Sequence, residues 1–285
     1  MVMNYNIVMA KYQGLGNDYL VLDPNKNKLQ LQGKKIEQLC KRGFGIGADG
    51  VLYGPLLQNG KLEVRFFNAD GSEAEISGNG VRIFAKYLLD QQYVSESRFA
   101  IETEIGPVEV ECLNGRGTEF KIRMGKASFD AEAIPVTGEK REVIGETFCF
   151  HGQEYQATCV SVGNPHCIIL MDQISREKVK ELGPYVENAP QFPHRMNLQI
   201  CRIIDKYNVE IEIYERGSGY TRASGTGSCA VAAALYRQGL IEPRVNISQP
   251  GGIIEVDIED DGSIYMLGTV GFIADISIAE SFFLS

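Results

Sequence analysis

Residues 212–235 read EIYERGSGYTRASGTGSCAVAAAL, and the organisation of the whole chain follows from them. Alternating apolar residues lead into Glu215-Arg216, and a glycine-rich turn follows. Ser224-Gly225-Thr226-Gly227 then opens a run of small and aliphatic residues that reads as a helix. The first N–H groups of such a helix have no partner inside it, and the peptide dipoles favour negative charge there. One glycine-rich helix start is a weak sign of an anion site, because most are only caps. A second copy strengthens the sign. Residues 64–89 read VRFFNADGSEAEISGNGVRIFAKYLL, with Ser77-Gly78-Asn79-Gly80 in the equivalent place.

The two copies lie 147 positions apart, and the same offset relates Gly16-Asn17 to Gly163-Asn164 and Ser77-Gly78 to Ser224-Gly225. It also places Val64, Phe66 and Phe67 on Ile211, Ile213 and Tyr214, Asn68 on Glu215, and Gly50 on Asn197. An ungapped offset held over about 60 residues marks a duplicated domain rather than a short repeat. The expected fold is α/β (α+β), with two similar pseudo-symmetric domains, each a curled, mostly antiparallel sheet around a central helix. The expected boundaries are 1–125 and 126–271, with the last strand, about 272–285, returning to the first domain. If the domains face each other across a pseudo-two-fold axis, both helix starts point into one cleft. Residues 77 and 224 then flank whatever is bound. That geometry suits an enzyme that removes a proton from one face of a carbon and returns one to the other. A carboxylate held between the helix starts also has the charge of a deprotonated α-carbon stabilised.

The rest of the chain fits this plan. Residues 5–23 read as strand, turn, strand; 34–43 and 174–188 space their apolar residues as helices; 98–124 is a meander with turns at Gly106-Pro107 and Asn114-Gly115. The two central helices are expected over Gly80–Leu89 and about 226–239. A net charge of −9 argues against nucleic acid or an anionic membrane as main partner, since both need basic surfaces. Seven cysteines without a CxxC pair read as free, mostly buried thiols of a reducing compartment. The N-terminal residues lack the pattern of a signal peptide, and no stretch reaches the roughly 18 apolar residues of a membrane span. A cytoplasmic protein is expected. No metal site or nucleotide fingerprint is present, and no cofactor is expected.

GLGNDY, GIGADG, FFNADGSE, SGNGVR, VGNPHC, FPHRMN and ERGSG…GTGSCA, in this order, resemble diaminopimelate epimerase. That family belongs to the cofactor-independent, proline-racemase-like amino-acid racemases, and the resemblance covers nearly the whole chain. It implies two domains about an internal pseudo-dyad and a thiolate–thiol pair that inverts the α-carbon of a diamino diacid, LL- to meso-diaminopimelate. It further implies a place in lysine and cell-wall biosynthesis, and a homodimer. Gly78, Asn79, Gly225 and Thr226 match the residues that take the reacting α-carboxylate. Asn17, Asn68, Asn164, Asn197 and Arg216 match those that hold the amino group and the distal end. Glu215 and His166 match residues flanking the amino group and the thiols.

The chain departs from the family where the chemistry is done. The two catalytic cysteines of the family fall on Ser77 and Ser224. A cysteine at a helix start can have its pKa lowered from about 8.5 toward neutrality. A serine hydroxyl is a far weaker acid and needs a neighbouring base to activate it. No His or Lys is adjacent in sequence; the histidines are His151, His166 and His194. The expectation is that both thiols were replaced deliberately, giving a protein that binds ligand without turning it over. In that state Ser77 and Ser224 are plain helix caps. Tyr220-Thr221-Arg222, where the family often has an acidic residue before Thr, leaves open a racemase of another amino acid. A natural non-catalytic binder or a dehydratase-like relative is the third reading. Cys229 and Cys167 are read as core residues, and His151 and His194 as surface or turn residues.

Overall fold

A helix that is small and apolar on every side has no face for water, so it persists only where other elements enclose it. The computed structural model, which describes residues 6–29, 31–58, 60–74 and 76–284, contains one helix close to this description, Gly225–Arg237, and a second, Gly78–Asp90, that is enclosed in the same way although it carries Arg82 and Lys86. Residue 5, the expected start of the first strand, lies outside the described residues. The chain divides into two units, Met1–Ile122 with Gly268–Ser285, and Arg123–Leu267. The first runs β1 (Asn6–Gly14), β2 (Asn17–Leu22), α1 (Gly33–Cys40), β3 (Gly50–Gln58), β4 (Lys61–Asn68), β5 (Glu73–Ala74) and α2 (Gly78–Asp90). After it come β6 (Arg98–Thr103), β7 (Gly106–Cys112) and β8 (Glu119–Lys126). The second begins β9 (Glu146–Phe150), β10 (Gln153–Ser161), β11 (Pro165–Leu170), α3 (Arg176–Glu187), β12 (Asn197–Asp205) and β13 (Asn208–Glu215). It continues β14 (Gly219–Thr221), α4 (Gly225–Arg237), β15 (Arg244–Gln249), β16 (Gly252–Ile258) and β17 (Ser263–Thr269), after which β18 (Gly271–Ala279) and a 3-10 helix (Glu280–Leu284) return to the first unit.

The duplication seen in the sequence extends to whole elements. β1, β3, β4 and α2 correspond to β10, β12, β13 and α4 with both ends displaced by 147 residues. Within the first unit the strands neighbour one another in the order β18-β1-β2-β3-β4-β6-β7-β8. The second repeats it as β9-β10-β11-β12-β13-β15-β16-β17. Pairs are antiparallel except β2/β3 and β4/β6, and their counterparts β11/β12 and β13/β15. Even the register is kept, with Tyr19 opposite Gly50 and His166 opposite Asn197. The expected α/β class, two roughly symmetric halves of sheet and helix, is the one observed.

Every residue from Gly78 to Leu88 of α2 is buried, as are Gly225 and Gly227–Leu235 of α4. α2 lies against β1, β2 and β3, and α4 against β10, β11, β12, β15 and β16. α1 and α3 carry separate cores in which Ile36 and Leu39, and Val179, Leu182 and Val186, pack on strands of their own unit. Of the cysteines, Cys40, Cys159, Cys167, Cys201 and Cys229 are buried, Cys112 is half-buried and Cys149 is exposed.

Both central helices begin immediately after a serine, so α2 starts at Gly78 rather than at the expected Gly80. Ser77 has φ −133° and ψ 119°, and Ser224 φ −140° and ψ 119°. These extended values let each hydroxyl turn back and accept the N–H of the third helical residue, Gly80 or Gly227, at 3.1 Å in both cases. Glycine is needed at these third positions by close packing. A Cβ at Gly80 would come within 2.9 Å of the Phe66 ring, and one at Gly227 within 2.9 Å of the Gln199 side-chain nitrogen.

The buried polar groups are where the halves differ. His166 is completely buried on β11, with Nδ1 at 2.9 Å from Gln199 Oε1 and Nε2 at 2.8 Å from Asn164 Oδ1. Burial lowers its pKa to about 4, with the Arg216 charge acting in the same direction and the Gln199 contact opposing. The imidazole is neutral near pH 7 and carries one N–H, which it can donate to one of the two amide oxygens. Position 19, the equivalent in the first unit, is Tyr19.

Removing a cap hydroxyl leaves a buried N–H unpaired. Ser224→Ala is expected to lower unfolding free energy by about 1 kcal/mol, read as a lower urea midpoint with unchanged m-value. The His166 contribution depends on pH. The unfolded chain takes up a proton at about pH 6.5 that the folded chain refuses until about pH 4. Stability from this group is complete above the unfolded pKa and is lost as pH falls toward the folded one. It amounts to a loss of about 2 kcal/mol between pH 7 and pH 5. His166→Gln should flatten the dependence of the urea midpoint on pH over that window.

Candidate active site

Of the expected site residues of the first unit, Asn17, Ser77 and Asn79 lie around the start of α2. Asn17 opens β2 just after Gly16, whose φ of 80° suits glycine. The Asn17 carbonyl accepts from Asn79 Nδ2 at 3.2 Å, and the Asn17 amide donates to Asp49 Oδ2 at 2.9 Å. Asp49 also accepts the Asp18 backbone N–H at 3.0 Å. Behind these lies a charged cluster: Lys11 pairs with Asp18 at 2.8 Å, and Arg42 bridges Asp18 and Asp49. Although burial opposes it, hydrogen bonds from Arg42 and Lys11 hold the Asp18 carboxyl below the usual range. Asn79 is further held by the fully buried Arg82, one helical turn on, which donates to its Oδ1. Ser77 Oγ receives a second hydrogen bond, from the Tyr19 hydroxyl at 3.2 Å.

Around the start of α4 the same plan is built from other side chains. Asn164 Nδ2 donates to Thr226 Oγ1 at 3.4 Å, the counterpart of the Asn79–Asn17 contact. Asn164 Oδ1 faces His166, which continues to Gln199. A chain of polar contacts therefore runs from Thr226 at the helix start into the buried interior of the unit. The Ser224 backbone N–H donates to Gln249 Oε1 at 2.9 Å. That bond fixes the Gln249 amide, whose NH2 has no partner among the described residues. Burial pushes the Glu215 carboxyl up in pKa, with the neighbouring Ser224 and Thr221 side chains acting in the opposite direction. Asn197 receives the Arg216 backbone N–H at 2.8 Å and donates to the Pro165 carbonyl at 2.7 Å.

The grouping is therefore uneven. Asn17, Ser77 and Asn79 cluster in one unit; Asn164, His166 and Thr226, Glu215 with Ser224, and Asn197 with Arg216 associate in the other. Asn68 is exposed, and its Nδ2 donates to Ser72 Oγ at 3.0 Å within the 68–72 turn. Tyr220 lies on α3, with Arg176 and Lys180 at 4.9 and 5.4 Å from its ring, and packs on the second unit's core. Arg222 is exposed. Cys229 is fully buried, His194 is exposed, and His151 occupies a turn with φ 51° and stacks on Tyr185.

Sequence reasoning missed Tyr19, Asp49, Arg82, Gln199 and Gln249. Tyr19 was within reach, because it stands 147 positions before the candidate His166. Gln199 and Gln249 were not, since the same offset leads to Leu52 and Glu102. Among the described residues no helix is long and apolar enough to cross a membrane.

Comparison with known proteins bears directly on this arrangement. The family profile described as Diaminopimelate epimerase matches residues 9–129 and 158–273. The chain is 43% identical over 274 residues to "Diaminopimelate epimerase 2" of Nostoc sp., covering 96% of each chain. It is 36% identical to the diaminopimelate epimerase of Methanothermobacter thermautotrophicus, covering 94% of this chain and 97% of that one. Among solved structures, a hydroxyproline epimerase from Agrobacterium vitis shares the fold with a TM-score of 0.71 at 12% identity, over 98% of this chain and 94% of that one. A PhzF-family phenazine biosynthesis protein from Bacillus anthracis does so with a TM-score of 0.66 at 14% identity, over 96% and 99%. With matched capped helices in both halves and similarity along nearly its full length, the chain belongs to the diaminopimelate epimerase family, within the PLP-independent racemases and epimerases.

Proposed function

We propose that this protein binds diaminopimelate through the starts of α2 and α4 and does not epimerise it, because serine stands at both proton-transfer positions. The observation that carries this reading is the match between Ser77 and Ser224. They share backbone conformation, cap contact and helix start, and in both the hydroxyl is occupied by structural hydrogen bonds. Each helix start is a half-site. In the first, the N–H groups of Gly78 and Asn79 offer donors to the reacting α-carboxylate; in the second, those of Gly225 and Thr226 do so with the helix dipole behind them. Asn17, Asn68, Asn164, Asn197 and Arg216 hold the amino group and distal end in this reading. Glu215 and His166 flank the reacting amino group. A second carboxylate suits Arg216, whose guanidinium can pair with it bidentately.

Two-base inversion needs a deprotonated group on one face and a protonated one on the other. Thiols at helix starts can divide these roles near neutral pH. The hydrogen bonds that Ser77 accepts from Gly80 and Tyr19 favour negative charge on its oxygen, but a serine hydroxyl is so much weaker an acid than a thiol that it stays protonated near neutral pH without a base to activate it. His166 is buried and neutral, and its contacts are to amides, so it is no substitute base. The Tyr220 ring is engaged beneath α3, which gives no support to a racemase of basic or aromatic amino acids.

One observation favours a second reading. Glu215 lies on Ser224 and carries a carboxyl of raised pKa, whereas its counterpart 147 residues earlier is Asn68. One-sided acid–base chemistry, of the kind a dehydratase-like relative uses, would draw on that asymmetry.

The readings separate in deuterated water. The protein should bind meso-diaminopimelate in a calorimeter yet leave its α-hydrogens unexchanged and its stereochemistry unaltered by NMR. Exchange with retention of configuration would favour the Glu215 reading, and epimerisation by the serine form would sink both. Ser77→Cys with Ser224→Cys should restore epimerisation while lowering stability by about 1 kcal/mol per site, because a thiol caps a helix less well than a hydroxyl. A doubly reverted protein that binds but stays silent would deprive the reading of its chemistry. Serine codons at both positions in the source gene would favour a natural binder over a deliberate replacement.

A further inference from the structure

Glu187 ends α3 with only 5% of its surface exposed. A carboxylate so placed is costly unless it is hydrogen-bonded and paired. Its Oε1 accepts the backbone N–H of Gly217 at 2.7 Å and a guanidinium N–H of Arg195. Its backbone carbonyl accepts the N–H of Met196 at 3.2 Å. One residue therefore ties two turns together, 193–197 and 215–219. Arg195 has a φ of 64°, a left-handed conformation that costs a side-chain-bearing residue energy and persists only where surrounding contacts impose it.

Arg216 sits between the ties. Its backbone N–H is held by Asn197, and its Nη1 donates to the His194 carbonyl at 3.0 Å. The residue after it is pinned by Glu187. All the restraints on the arginine therefore come from the 194–197 turn or from Glu187 on α3.

The duplicated first unit serves as an internal control. At 147 positions earlier, Glu187, Arg195, Asn197 and Arg216 become Cys40, Ala48, Gly50 and Ala69. The clasp exists only in the half that carries the arginine, and in the other half its members are small or apolar. A device needed merely to close an α3-type helix onto its sheet would be expected in both halves. α1 and β3 close without it.

We propose that Glu187 is a positioning residue. Through Gly217 and Arg195 it sets the Arg216 guanidinium for the distal carboxylate of a diamino diacid, and so selects a diacid over a monocarboxylate of the same skeleton. The inference rests on the diaminopimelate reading above. It goes beyond that reading in placing the selection for the second carboxylate on a buried residue that does not touch ligand.

The test is calorimetric titration of the full-length protein with meso-diaminopimelate and with L-lysine, which lacks the distal carboxylate. Glu187→Leu removes both hydrogen bonds at similar length and should weaken diaminopimelate by about tenfold or more. Lysine affinity should stay within about twofold, because its contacts at the helix starts are untouched. Glu187→Gln keeps an oxygen for Gly217 and should recover most of the lost affinity. In an Arg216→Ala background, Glu187→Leu should cost nothing further. If Glu187→Leu does not fold, Arg195→Gly carries the same test, since glycine accepts the φ of 64° while the guanidinium is lost. Unchanged diaminopimelate affinity in the variants, or equal weakening of both ligands, would overturn the positioning role. Failure of the unsubstituted protein to bind diaminopimelate would remove the substrate reading itself, and the inference with it.

Discussion

A helix enclosed by its own sheet can leave backbone donors unpaired in only one place, its first turn. α2 and α4 are both in that position, buried along nearly their whole length. One of the orphan N–H groups is taken by the preceding serine, at 3.1 Å in each helix. The other first-turn donors stay at the chain entrance with the positive end of the dipole behind them. The proposed anion site thus falls where the helices begin. Glycine at positions 80 and 227 follows from the same enclosure, because the walls come too close for a side chain.

The duplication supplies two such starts, and divergence makes them unequal. Asn79 is steadied in the first unit by Asn17 and Arg82, with the Lys11–Asp18–Arg42–Asp49 cluster behind Asn17. Thr226 is steadied in the second by Asn164 and a buried neutral histidine. Arg216 and Glu187 have no like residues at the matching positions of the first unit, an asymmetry in keeping with the proposed two-ended ligand. Equal halves would favour a symmetric ligand; unequal ones can tell the reacting end from the distal end. The serines are as good a structural match to their places as any residue here, because a hydroxyl caps a helix better than a thiol does. What keeps them from acting as bases is the weak acidity of a hydroxyl, which a helix start cannot bring to neutral pH as it can a thiol.

Much of this was legible in the sequence. The 147-residue offset carried the duplication, the strand and helix plan, and the paired helix starts, because register and burial repeat together. The VGNPHC and ERGSG runs carry the residues that meet Thr226 and Ser224 at the start of α4 or lie beside them, whereas Asn68 of FFNADGSE bonds within its own turn. The helix starts were misjudged by two residues in α2 because glycine propensity suggested a later start than the serine cap permits. What stayed hidden was the side-chain pairing across distant segments. Nothing near Glu187 in sequence hints that it serves a loop about 30 residues on, and Gln249 has no like counterpart in the first half to flag it. Tyr220 left open a different substrate because the family often has an acidic residue at this stretch, and its contact with Arg176 and Lys180 of α3 could not be read from the local sequence. Local sequence places a residue on an element; which neighbour it meets depends on packing that single-chain patterns do not encode.

The central claim is that the two helix starts act on one ligand. Titration of the protein with meso-diaminopimelate, followed through the backbone amide resonances of Gly78, Asn79, Gly225 and Thr226, tests it most directly. All four amides should shift along a single binding curve with one dissociation constant. Shifts confined to one helix start, or two helix starts that saturate at different ligand concentrations, would contradict the account.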